Sequence, residues 1–209
     1  DRSIAMGSES EATKFAAIAA GYQAKAQGNV SVALGNGAQA SGTFAVSIGH
    51  FSKAIGDNSV ALGFFNTTYA NHATAMGANT EAYGIASTAL GSNSVASGDN
   101  SFVAGSNTTA TGDNSAAIGY NSVASGGRSF ALGDSNQASG ESSTALGQLS
   151  KSQGAFSLAA NLETTAGGIS STALGKGTKS GEFASLAIGH YNTETTYAPN
   201  QYDILNTAF

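Results

Sequence analysis

The sequence contains no cysteine and a single proline. Without thiols there is no disulfide, no thiolate nucleophile and no thiolate metal site, and the chain carries no mark of its redox compartment. Charge is scarce as well. Asp, Glu, Lys and Arg make up 10% of the 209 residues, well below the usual quarter. A chain this poor in charge must hide surface or solvate it with Ser, Thr and Asn. The formal net charge of −5 is the wrong sign for the basic stripe that a nucleic-acid partner would want. No signal peptide and no apolar run of about 18 residues is present. Nothing reads as a helix, so a Gly-rich phosphate loop has no strand-to-helix junction to sit on.

What is abundant is order. The pattern Ser-x-Ala-Leu/Ile/Met-Gly, as in Ser59-Val60-Ala61-Leu62-Gly63, starts at Ser3 and returns every 14 residues to Ser185. Its Gly column runs from Gly7 to Gly189, broken only by Asn161. Fourteen copies without insertion or deletion predict stacked, nearly identical coils. The β-branched residues, the alternation and the closing Gly read as a strand of about five residues. A second strand of similar length is expected around Ser94-Val95-Ala96-Ser97-Gly98 and its equivalents. One of its columns holds Glu11, Lys25, Lys53, Glu81, Lys151 and Lys179, charges that can only face water. Asn and Asp fill the turns, as at Asp99-Asn100 and Asp113-Asn114, where positive φ is cheap for Asn. Thirteen steps at strand spacing predict a flat two-strand roll roughly 60 Å long. The expected division is a roll over residues 1–190 and a C-terminal cap or connector over 191–209. The chain opens mid-repeat at Asp1-Arg2-Ser3, as an excised fragment would, so any targeting or anchoring segment is expected outside it.

The five columns of the first strand contribute 70 residues over 14 coils, and none is Asp, Glu, Lys, Arg or His. A strand buried on one face should carry charge on the other, as the second strand does. The first strand is therefore expected to be buried on both faces. One chain offers one interior, so the other face calls for a second chain, and a closed symmetric oligomer is the economical answer. Short turns leave room inside the roll only for Ser, Ala and Gly. The larger column then points to the oligomer axis: Leu34, Ile48, Leu62, Met76, Leu90, Ile118, Leu132, Leu146, Leu174 and Ile188. The alternative is a monomeric solenoid with the large residues inside.

Asn58-Ser59-Val60-Ala61-Leu62-Gly63, and runs such as Ser94-Val95-Ala96-Ser97-Gly98-Asp99-Asn100-Ser101, resemble the YadA-like head repeats of trimeric autotransporter adhesins. The resemblance covers about residues 1–190. It implies an all-β, left-handed parallel β-roll assembled as a homotrimer and displayed on the outer membrane at a bacterial cell surface. It also implies attachment to host extracellular-matrix or cell-surface proteins, collagen among them, with no catalysis and no cofactor. Family heads sit on a coiled-coil stalk and a β-barrel anchor, so membrane anchoring would come only from segments outside this sequence. The neck that usually follows such heads is not recognisable in Tyr191–Phe209. A phage tail-fibre segment or a structural spacer that reuses the roll is the alternative function. A downstream stalk and barrel would discriminate the two.

Other chemistry finds little support. His50 and His190 share a column ten coils apart, about 48 Å at strand spacing, and His72 lies in another. They read as surface histidines and not as metal ligands. The many serines are ladder residues without a paired base. Asn29, Asn66 and Asn107 open glycosylation-acceptor tripeptides, which arise by chance in so Asn-, Ser- and Thr-rich a chain. An ice-binding Thr ladder is interrupted by Phe102, Ala116 and Phe130. The candidate ligand contact is aromatic. The turn after the first strand is variable, so it can carry specificity without disturbing the roll. It holds His50 and Phe51, then Phe64 and Phe65 one coil later, while Tyr69 lies under Tyr83 on the solvated strand. Large aromatics on a Ser/Thr/Asn surface are hot-spot material. The competing reading packs these rings on a neighbouring chain at the rim of the oligomer.

Overall fold

A computed structural model describes residues 2–192. The expected cap or connector over 191–209 lies outside them except for Tyr191 and Asn192. The coils form two compact units, Asp1–Asn107 and Thr108–Phe209, built by the same rules. In each coil a longer strand such as Val60–Phe64 is followed by a two-residue strand such as Thr67–Thr68. In the first unit each strand pairs in parallel with its equivalents one coil away. Leu62 lies between Ile48 and Met76, and Thr67 between Lys53 and Glu81. In the second unit Leu132 lies likewise between Ile118 and Leu146, and Gln137 pairs with Lys151. The register is the sequence period. The fold is an all-β parallel solenoid of 14-residue coils.

Two expectations need correction. The second strand has two residues and not about five, and the longer strand usually runs one residue past the Gly. The first three longer strands are shorter, Ile4–Met6, Ile18–Ala20 and Val32–Leu34. A left-handed residue recurs every seven positions: Asn58 at φ 56°, Phe65 at 54° and His72 at 60°. Each such residue interrupts the extended backbone and bounds the strands on either side. Asn occupies many of these sites and tolerates them well. Phe51, Phe65 and Val30 do not, and are held there by the stack. The turns themselves are hydrogen-bonded between coils, with Phe65 N donating to His50 O at 2.9 Å. An inserted residue would break that ladder, which accounts for the unbroken period.

The interior is filled as size predicts. Ala61, Ala75 and Ala89 are fully buried, as are Ser59 and Ser87. Ser59 Oγ donates to Gly56 O at 2.6 Å, which is why a small hydroxyl suits that column. The Leu/Ile/Met column points away from this interior. Leu34, Leu62, Leu90, Ile118, Leu146 and Leu174 are half-buried. Ile48, Met76, Leu132 and Ile188 expose 40% or more. The solenoid with large residues inside is thereby excluded. Close coil approach explains the Gly column: a Cβ on Gly91, at φ 114°, would lie 1.9 Å from Gly105 O.

Candidate ligand-contact surface

The aromatic candidates form two groups. Phe51 and Phe65 occupy the left-handed turn position of successive coils, so the 14-residue register places one ring on the other. Their centroids are 5.4 Å apart at 17°. His50 and Phe64 end the two longer strands Val46–His50 and Val60–Phe64, one residue earlier than a turn reading implies. They stack at 5.1 Å and 10°. The two stacks meet edge to face, His50 to Phe51 at 4.6 Å and Phe64 to Phe65 at 4.6 Å. Such geometry suits the ring quadrupoles. His50 Nδ1 is buried among these rings without a hydrogen-bond partner. Phe64 remains 52% exposed and Phe65 44%, so the cluster presents apolar surface.

Tyr69 and Tyr83 follow the short strands Thr67–Thr68 and Glu81–Ala82, at the other turn of the coil. Their rings are parallel, 4.3 Å apart at 4°. No ring contact joins them to the His50 cluster among the described residues. The Tyr83 hydroxyl donates to Glu81 Oε2 at 2.9 Å. That bond, a second one with Tyr69 and partial desolvation push the Tyr83 phenol well above its ordinary range, because ionising it would place an anion beside a carboxylate.

Sequence reasoning missed Asn66 and Asn136. Both are fully buried and their amides bridge coils. Asn66 Nδ2 donates to Leu62 O at 2.6 Å and Gly77 O at 2.8 Å. Its Oδ1 accepts from Thr80 N at 2.9 Å and Thr80 Oγ1 at 2.7 Å. Asn136 repeats the pattern with Leu132 O, Gly147 O and Ser150 N. Asn66 therefore braces the turn that carries Phe64 and Phe65, and its amide is inaccessible to a sugar. Its signal in the sequence is an Asn in a column otherwise Ser, Thr or Ala, which a sequon reading obscures.

Among the described residues no three His, Asp or Glu side chains gather as metal ligands would. His190 instead packs edge-on to Tyr191 at 4.4 Å, with Lys176 Nζ 5.5 Å from that ring's centroid. The Asp and Asn side chains of the second turn serve the stack: Asp57 Oδ1 accepts from Thr43 N and Asp99 Oδ1 from Ile85 N, both at 2.8 Å. Among the described residues the arrangement offers a repetitive polar wall, an exposed aromatic cluster, a tyrosine pair and an outward apolar column.

A family model described as YadA head domain repeat (2 copies) matches residues 12–38, 31–52, 40–66, 54–80, 82–108, 110–136 and 138–160. Together these spans cover more than half of the chain. No curated protein matches it.

Proposed function

Because the chain belongs to the YadA head repeat family, we propose that it is the head of a trimeric bacterial surface adhesin, attaching the cell to host matrix or cell-surface proteins. The observation that carries the assembly is the apolar outer column of the longer strands. That column, from Leu34 to Ile188, is half-exposed in the single chain, and a stripe of that kind calls for a covering surface. Three copies of this face around one axis supply it. The outer surface then carries the ligand. In this reading no step is catalytic and no cofactor is used.

We assign the contact to His50, Phe51, Phe64 and Phe65, with Tyr69 and Tyr83 as a second aromatic step. Exposed rings that are already stacked lose little entropy on binding, which favours them as anchors. A second reading has a specific observation behind it. His50 and Phe64 end two of the longer strands, beside the apolar column, so their rings fit a role in rim packing on a neighbouring chain. The double substitution Phe64→Ser with Phe65→Ser separates the two. Adhesion to matrix-coated surfaces is expected to fall at least about tenfold, as loss of a hot-spot pair implies, with thermal unfolding unchanged. Lost thermal stability with intact adhesion of the surviving assembly would transfer the rings to the rim.

A further inference from the structure

Phe51 also walls a groove that the aromatic cluster does not use. The groove encloses about 540 Å³ across the first four coils, on the charged side of the roll, between the turn column and the short-strand column. Gly37 lines it. This residue sits in the same left-handed turn column as Phe51, at φ 66°, and the Phe51 ring lies over it. A Cβ at Gly37 would come within 2.5 Å of that ring. The ring therefore takes the place of the missing side chain and forms part of the groove wall.

Charge is distributed unevenly along it. At one end Glu9 and Glu11 line the wall. Lys25 is 3.5 Å from Glu11, so that carboxylate is compensated, while Glu9 accepts from Gln23 Nε2 at 2.7 Å and among the described residues makes no ion pair. At the other end Lys53 lines the groove beside Phe51, and among the described residues it makes no ion pair. The groove has a negative end and a positive end, separated by three coil steps, about 14 Å at strand spacing.

We propose that this groove binds an extended segment of a protein partner that carries a carboxylate and an ammonium or guanidinium group four residues apart. Four residues of extended chain span about 13 Å, which matches the distance between the two ends. The ligand's acidic group pairs with Lys53, its basic group with Glu9, and an apolar side chain or the intervening backbone lies against the exposed side of Phe51. The groove is thereby a polar continuation of the aromatic contact. The inference rests on the adhesive reading of that cluster only in sharing Phe51.

The test uses three immobilised peptides: Lys-Gly-Gly-Gly-Glu, Glu-Gly-Gly-Gly-Glu and Gly-Gly-Lys-Glu-Gly, each with blocked termini. The first is expected to retain the protein and the other two to retain it about three- to fivefold less, the worth of an exposed ion pair. Lys53→Glu is expected to lower retention on the first peptide by about the same factor. Lys151→Glu, in the same column but outside the groove, is expected to leave it unchanged. Equal retention on all three peptides, or equal retention by Lys53→Glu and the parent, overturns the groove. Neither result touches the aromatic contact, which is read separately from Phe64→Ser with Phe65→Ser on matrix-coated surfaces. Loss in that assay with no peptide preference leaves the cluster without the groove. A Lys53-dependent peptide preference with intact matrix adhesion leaves the groove without the cluster.

Discussion

At the residue scale, the buried side chains of this roll are almost all Ala, Ser and Thr. Asn66 is the large exception, and it satisfies both ends of its amide across two coils. Truncating it strands the Thr80 N–H and the Thr80 hydroxyl, both buried. Asn66→Ala is expected to cost about 3 kcal/mol, since each orphaned buried group costs about 1–3 kcal/mol. Chemical denaturation with an unchanged m-value would measure it, and a loss below about 0.5 kcal/mol would mean that water replaces the amide. Tyr83 offers a test in alkali. Its pKa is raised in the folded chain, above the ordinary phenol value of about 10. The stabilisation it contributes is fully present below that ordinary value and is lost as pH rises through the folded value. Ultraviolet titration should show a late-ionising phenol that disappears in Tyr83→Phe and moves down in Glu81→Gln. An unchanged titration curve in both variants would dissociate the phenol from the carboxylate.

At the element scale, the two strands of a coil have opposite demands. The short strand carries Lys53 and Glu81 outward and Ala54 and Ala82 inward. The longer strand buries Ala61 and Ala89 inside the roll and turns Leu62 and Leu90 out without any charge around them. Leu90→Asp places a carboxylate in that apolar column. If three copies meet there, each buried and unpaired carboxylate costs several kcal/mol or is forced to protonate. Leu90→Asp is expected to prevent assembly. Lys53→Ala, in the solvated column, should stay within about 0.5 kcal/mol of the parent. Equal melting temperatures for Leu90→Asp and the parent would leave the outer column without an interface role.

At the scale of the whole molecule, the apolar column recurs in both units, from Leu34 to Leu90 and from Ile118 to Ile188. A chain that left this column in water would carry an aggregation surface along every coil. An obligate trimer removes it by closed symmetry. Light scattering at micromolar concentration is expected to return three times the 20.6 kDa chain mass. A stable folded monomer under those conditions would sink the assembly and would turn the column into a binding face for something else.

Period, register and the sorting of small residues inward were legible in the sequence, because a parallel stack repeats its environment every coil and each column reports one environment. The direction of the large column followed from volume alone: two strands joined by such short turns have no space for Leu between them. Three features belonged to the tertiary structure. The second strand covers only Val95–Ala96 and its equivalents, and left-handed residues bound the strands every seven positions, a conformation of which residues such as Phe65 and His72 give no local warning. The amide of Asn66 became a bridge because its partners, Gly77 and Thr80, lie 11 and 14 residues away, at distances only the coil brings together. The grouping of His50, Phe51, Phe64 and Phe65 apart from Tyr69 and Tyr83 depended on the side of the coil that each turn faces. A column alignment shows which residues stack, and the path of the chain between columns decides which stacks meet.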